Sequence, residues 1–77
     1  MSYQDIMATI IRYAVLIEAL KTEILKFEGS IESWGEIRHD DMIEQYELKK
    51  EAAENLVETY YEKIEALSVQ LPTAPHR

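Results

Sequence analysis

The chain has 77 residues, no cysteine and a formal net charge of −7 at pH 7. A chain of this length forms one domain at most, and its core alone gives marginal stability unless a metal, disulfides or self-association add to it. The missing cysteine excludes disulfides and thiolate chemistry. The negative charge argues against direct binding of nucleic acid or anionic lipid, since both are bound through basic clusters.

Residues 6 to 20 form an apolar run that does not predict a membrane span. The run is shorter than the roughly 20 residues that cross a bilayer, and it contains Arg12 and Glu18. The residues before it carry no basic cluster and no small-residue cleavage site follows, so it does not resemble a signal peptide. The sequence therefore predicts a cytoplasmic protein that does not bind membranes.

A first long helix is predicted over residues 3 to 34. Apolar residues recur there at alternating spacings of three and four residues. This pattern is typical of an amphipathic helix with one continuous apolar stripe, which we call the seam. The seam residues are Tyr3, Ile6, Ile10, Tyr13, Ile17, Leu20, Ile24, Phe27, Ile31 and Trp34. Ser2 is predicted as its N-cap, with Asp5 in the first turn.

Two glycines offer different ends for this helix. Gly29 would end it early, whereas Gly35 follows the last seam residue and stands where a left-handed residue commonly closes a helix. The uninterrupted seam favours Gly35, which leaves a turn at about residues 35 to 40. In a third arrangement, Ser33 and Glu36 form a capping box for the second helix.

The second helix is predicted over about residues 41 to 70, with Asp41 or Asp40 as its N-cap. Pro72 stops it, so residues 1 to 71 are expected to form one domain and residues 72 to 77 a flexible tail. Its seam residues are Ile43, Tyr46, Lys50, Ala53, Val57, Tyr60, Ile64, Leu67 and Leu71.

Two helices joined by a short turn predict an all-α fold, an antiparallel two-helix hairpin resembling a coiled coil. A register in which the numbers of facing residues add to 77 aligns the seams throughout. It places Tyr13 opposite Ile64 and Phe27 opposite Lys50, with the Lys50 ammonium in solvent or near Glu23.

The first helix has more apolar surface than one partner helix covers, which predicts self-association. We expect a homodimer forming a four-helix bundle, or a higher homo-oligomer; a different protein covering this face is the alternative. The predicted interface residues are Ile6, Met7, Ile10, Ile11, Ala14, Val15, Leu16 and Leu25.

The second helix carries an acidic stripe beside its seam. A solvated outer face is the simplest interpretation. The stripe is alternatively a docking site for a basic protein partner, or a mimic of nucleic-acid charge. Its residues are Glu44, Glu47, Glu51, Glu54, Glu58 and Glu65.

The Glu36-x-x-His39 spacing occurs in di-iron helical bundles, where such motifs point into the core. Here both residues fall in the predicted turn, and the seams contain no carboxylate, so no metal, cofactor or catalytic residue is predicted. The lysines and arginines are scattered rather than gathered into an anion pocket. The sequence therefore predicts a protein that is not an enzyme.

Trp34 and Gly35 at the bend, followed by Tyr61-x-x-x-Glu65, resemble motifs of the small secreted substrates of type VII secretion systems. That family has one residue between the tryptophan and the glycine, whereas here they are adjacent. The resemblance implies a secreted helical hairpin.

The leading functional hypothesis is a small interaction, adaptor or assembly subunit that acts as a homo-oligomer. An acidic inhibitor of a DNA- or RNA-handling protein is the alternative.

Overall fold

The computed structural model describes residues 2–71, which form two helices packed against each other. Helix α1 spans Tyr3–Glu36 and helix α2 spans Asp40–Ser68. The all-helical hairpin predicted from the seams is confirmed. The predicted tail, residues 72 to 77, lies outside the described residues.

The N-terminus of α1 is closed by the predicted cap. The Ser2 hydroxyl oxygen accepts a hydrogen bond from the backbone N–H of Asp5 at 3.2 Å. This bond satisfies one of the N–H groups that a helix start leaves without a partner, and the Asp5 carboxylate lies near the positive end of the helix dipole.

The two seams face each other and form the interior of the hairpin. Ile6, Ile17 and Ala53 are buried, with exposed fractions of 3%, 2% and 8%. Every other seam residue is partly buried except Tyr3, which lies at the open end and is 56% exposed. Burial of apolar side chains along these seams therefore holds the helices together.

The aromatic contacts depart from the predicted register by one helical turn. The rings of Tyr13 and Tyr60 stack with centroids 5.3 Å apart, and those of Phe27 and Tyr46 lie 6.1 Å apart. The residue numbers of both pairs add to 73, not 77. Aromatic rings at these separations attract each other beyond their apolar burial.

Lys50 lies in the seam and bridges the helices. Its ammonium nitrogen is 3.5 Å from a carboxylate oxygen of Glu28, whereas the sequence predicted that it reaches solvent or Glu23. The side chains of Lys50 and Glu28 are 30% and 47% exposed, so water screens the pair in part.

The predicted end of α1 at a left-handed Gly35 is wrong. The helix passes through both glycines, neither of which has a positive φ, and the left-handed residue is Arg38, with φ of 57°. The N–H groups of Arg38 and His39 donate to the carbonyls of Gly35 and Trp34, each at 3.1 Å. This pair of bonds is a Schellman motif, in which arginine takes the position that glycine usually occupies.

The predicted caps of α2 are also wrong. His39, and not Asp40 or Asp41, is the N-cap, because its Nδ1 accepts the backbone N–H of Met42 at 3.4 Å. Asp40 and Asp41 instead form the first turn of α2, where their charges interact favourably with the helix dipole.

Candidate interaction surfaces

His39 has a structural role at the tip of the hairpin. The imidazole caps α2 and contacts Trp34 edge to face, with ring centroids 5.2 Å apart. Glu36 is the last residue of α1 and is exposed. Within residues 2–71, no three histidine, aspartate or glutamate side chains are grouped so that they could hold a metal ion.

The predicted interface residues divide into two sets. Ile6 is buried within the hairpin, so it has almost no surface to offer a partner, and Met7 and Ile10 are partly buried. The other residues are exposed, with fractions of 58% for Ile11, 63% for Val15 and 70% for Leu25. The exposed set is Ile11, Ala14, Val15, Leu16 and Leu25.

The structure adds apolar surface that the sequence reasoning missed. Leu48 and Leu56 of α2 are 60% and 42% exposed, and Tyr61 is 48% exposed. All three lie off the second seam, so the reasoning applied to the off-seam residues of the first helix would have found them. Ile37 in the turn is 65% exposed.

The accessible surface of the chain is large for its mass. It measures 6009 Å², whereas a compact monomer of 9.0 kDa exposes about 4,900 Å². A two-helix hairpin has only one layer of contacts, so both helices keep their outer surfaces in water.

One side of the hairpin is strongly acidic. All six glutamates of the predicted stripe are exposed, and Glu18, Glu28 and Glu32 of α1 fall on the same side by helical periodicity. Two contacts between the helices lie on this side: Lys50 with Glu28, and the Lys21 ammonium 5.5 Å from the centre of the Tyr61 ring. We call this surface the acidic side. Its glutamates are Glu18, Glu28, Glu32, Glu44, Glu47, Glu51, Glu54, Glu58 and Glu65.

The ammonium groups of Lys21 and Lys50 lie among these glutamates. Hydrogen bonding to Tyr61, followed by the charge interaction with Tyr61, raises the pKa of the Lys21 ammonium above its ordinary value of 10.5. Glu18, with a carboxylate oxygen 3.8 Å from the Lys21 nitrogen, acts in the same direction. Lys21 therefore stays charged at neutral pH.

The opposite side of the hairpin is basic. It presents Arg12 and Lys26 from α1 and Lys49 and Lys63 from α2, all exposed, and we call it the basic side. Lys26 pairs with Glu23 at 3.5 Å, and the Lys49 ammonium lies 5.0 Å from the centre of the Tyr46 ring. The two sides of the hairpin therefore differ in net charge, although Asp5 and Glu23 lie on the basic side by helical periodicity.

The described residues enclose no cavity in which a small molecule could sit. In the same part of the chain, neither helix is apolar over a stretch long enough to cross a bilayer.

Comparison of the chain with protein-family models, with curated proteins and with solved structures gives no match. Of the residues that carry the resemblance to type VII substrates, Trp34 and Gly35 lie in the last turn of α1, before the bend at residues 37 to 39. Tyr61 and Glu65 lie one turn apart on α2.

Proposed function

We propose that this protein is a non-enzymatic interaction protein, an assembly subunit that associates with further copies of itself. The observation that carries the proposal is the exposed apolar surface of α1, above all Ile11, Val15 and Leu25. A soluble monomer rarely keeps a row of large aliphatic side chains in water along a helix that is already folded.

The free energy available from burying the exposed apolar residues of α1 is large for a chain of this size. Burying an aliphatic side chain contributes about 1.5–3 kcal/mol, so the exposed set of α1 represents several kcal/mol. A whole small domain is stable by only about 5–15 kcal/mol. Self-association is therefore the most direct way for this hairpin to gain stability, and packing two hairpins gives a four-helix bundle.

Analytical ultracentrifugation over a range of protein concentrations tests the proposal. We expect the wild type to sediment as a dimer or larger species, and the variant with Ile11→Ser and Leu25→Ser to shift toward monomer. Leu48→Ser, an equally exposed leucine on the outer surface of α2, is the matched control. A wild type that stays monomeric at the highest soluble concentration refutes the proposal.

The segregation of charge favours a second candidate, an acidic protein that occupies the basic surface of a DNA- or RNA-handling protein. Nine of its twelve glutamates lie on one side of the hairpin, with the ammonium groups of Lys21 and Lys50 among them. Affinity capture from native lysate, with and without nuclease, tests this candidate. A DNA- or RNA-binding protein retained by the wild type after nuclease, and lost when Glu47, Glu51, Glu54 and Glu58 are changed to Gln, would support it over self-association.

A further inference from the structure

The charges on the acidic and basic sides restrict which surfaces of two copies can pack against each other. In an antiparallel pair, the positions that flank the seams meet in matching pairs, one set on each side of the hairpin. The Lys21–Tyr61 and Lys50–Glu28 contacts identify one of these sides as the acidic one. Lys49 and Lys63 fall at the flanking positions of the other side.

Two copies related by a two-fold axis present the same surface to each other. If that surface were the acidic side, the exposed glutamates of both copies would lie together, and like charges brought into contact disfavour an interface strongly. Joining two basic sides brings Arg12, Lys26, Lys49 and Lys63 of each copy together and leaves the glutamates without partners. Both symmetric arrangements of the sides are therefore disfavoured.

Several of the exposed apolar residues lie on these two sides, while Val15 and Leu48 lie outside both. Ile11, Leu25 and Tyr61 lie with the glutamates, with exposed fractions of 58%, 70% and 48%. Leu16 and Leu56 lie with the cations and are 39% and 42% exposed. Each side thus combines apolar side chains with a net charge, negative on the acidic side and positive on the basic side.

We propose that copies of this chain associate side by side, with the acidic side of one hairpin packed against the basic side of the next. The inference rests on the proposed self-association and specifies its geometry. Each pair is a four-helix bundle built from two different surfaces, so one acidic and one basic side remain uncovered. Such an interface continues into a ring or an open filament.

Two double variants test this geometry, because each weakens one side and leaves the other unaltered. Lys49→Glu with Lys63→Glu reverses two charges of the basic side, and Glu51→Lys with Glu58→Lys reverses two charges of the acidic side. We expect each variant alone to associate at least about tenfold more weakly than the wild type. An equimolar mixture should associate more strongly than either variant alone, because each variant supplies the unaltered side that the other needs.

The matched control is Glu36→Lys with Glu62→Lys, which makes the same chemical change at exposed positions outside both sides. It should associate like the wild type. Circular dichroism establishes that every variant is helical, and the neutral pairs Lys49→Gln with Lys63→Gln and Glu51→Gln with Glu58→Gln should show the same pattern more weakly.

The outcomes separate the geometry from the proposed function. If the wild type associates and both charge variants associate equally well, the side-by-side geometry is wrong while self-association stands. If the wild type is monomeric, both fail. Salt gives an independent readout: association should weaken as sodium chloride rises from about 50 mM to about 500 mM, because attraction between the sides is screened. Association that strengthens with salt would instead show that net repulsion between acidic copies dominates.

Discussion

The backbone N–H of His39 donates a hydrogen bond to the carbonyl oxygen of Trp34 at 3.1 Å, and the His39 ring lies edge to face against the Trp34 indole. A Schellman motif often includes an apolar contact between these two positions, and here two aromatic rings make it. Because His39 also caps α2, one residue closes the first helix and starts the second. The turn therefore needs only Ile37, Arg38 and His39 between the helices.

Arg38→Gly should stabilise the hairpin by about 1 kcal/mol. A residue with a Cβ is strained in the left-handed conformation that Arg38 adopts, whereas glycine is not. Urea denaturation at fixed protein concentration measures the change. Arg38→Ala keeps the Cβ and should be close to neutral. Loss of stability on Arg38→Gly would show that the arginine side chain contributes more than its backbone strain costs.

His39→Ala should destabilise the hairpin by about 1 kcal/mol or more, because it removes the acceptor for the Met42 N–H and the contact with Trp34. His39→Asn retains a capping side chain and should recover part of the loss. Thermal unfolding of the three proteins, followed by circular dichroism, measures the difference. Equal stability of all three would rule out a capping role for the imidazole.

Gly29→Ala and Gly35→Ala should each stabilise the protein by about 0.5–1 kcal/mol. Both glycines are helical, and a Cβ added at either position meets no atom within 4 Å. Alanine lowers the entropy of the unfolded chain and favours helix. The free energy of unfolding in urea provides the measurement. A destabilising Gly29→Ala would indicate that another copy approaches the backbone there.

The stack of Tyr13 on Tyr60 should contribute a coupling energy of about 0.5–1.5 kcal/mol. A double-mutant cycle with Tyr13→Leu and Tyr60→Leu measures it, since leucine preserves much of the apolar burial. The same cycle on Tyr13 and Tyr61 is the control, because Tyr61 lies off the seam. Coupling no larger than in the control would contradict the observed register.

Titration of Lys21 should show a pKa above 10.5, and Tyr61→Phe should lower it, because hydrogen bonding to the Tyr61 hydroxyl is the main cause of the shift. A raised pKa in the folded state means that the charged lysine favours folding at neutral pH. That contribution is lost as the pH rises through the raised value. NMR of the lysine side chain follows the titration, with Lys63 as the exposed reference. An unchanged Lys21 titration in Tyr61→Phe would exclude this cause.

Much of the architecture follows from the linear order of residues. Unbroken three-four spacing requires long helices, the seams specify which faces meet, and Ser2 is recognisable as a cap because its hydroxyl precedes the first turn. These features depend on neighbours along one helix, so the sequence by itself determined them.

The turn, the aromatic register and the arrangement of surfaces were decided only by the tertiary structure. A left-handed Arg38 contradicts local preference, and it is accepted because two hydrogen bonds and the Trp34–His39 contact favour it together. Tyr13 stacks on Tyr60, whereas an even alignment of the seams places it opposite Ile64. The six-glutamate stripe of α2 is visible in the sequence, but the acidic and basic sides extend across both helices only once α1 and α2 are paired.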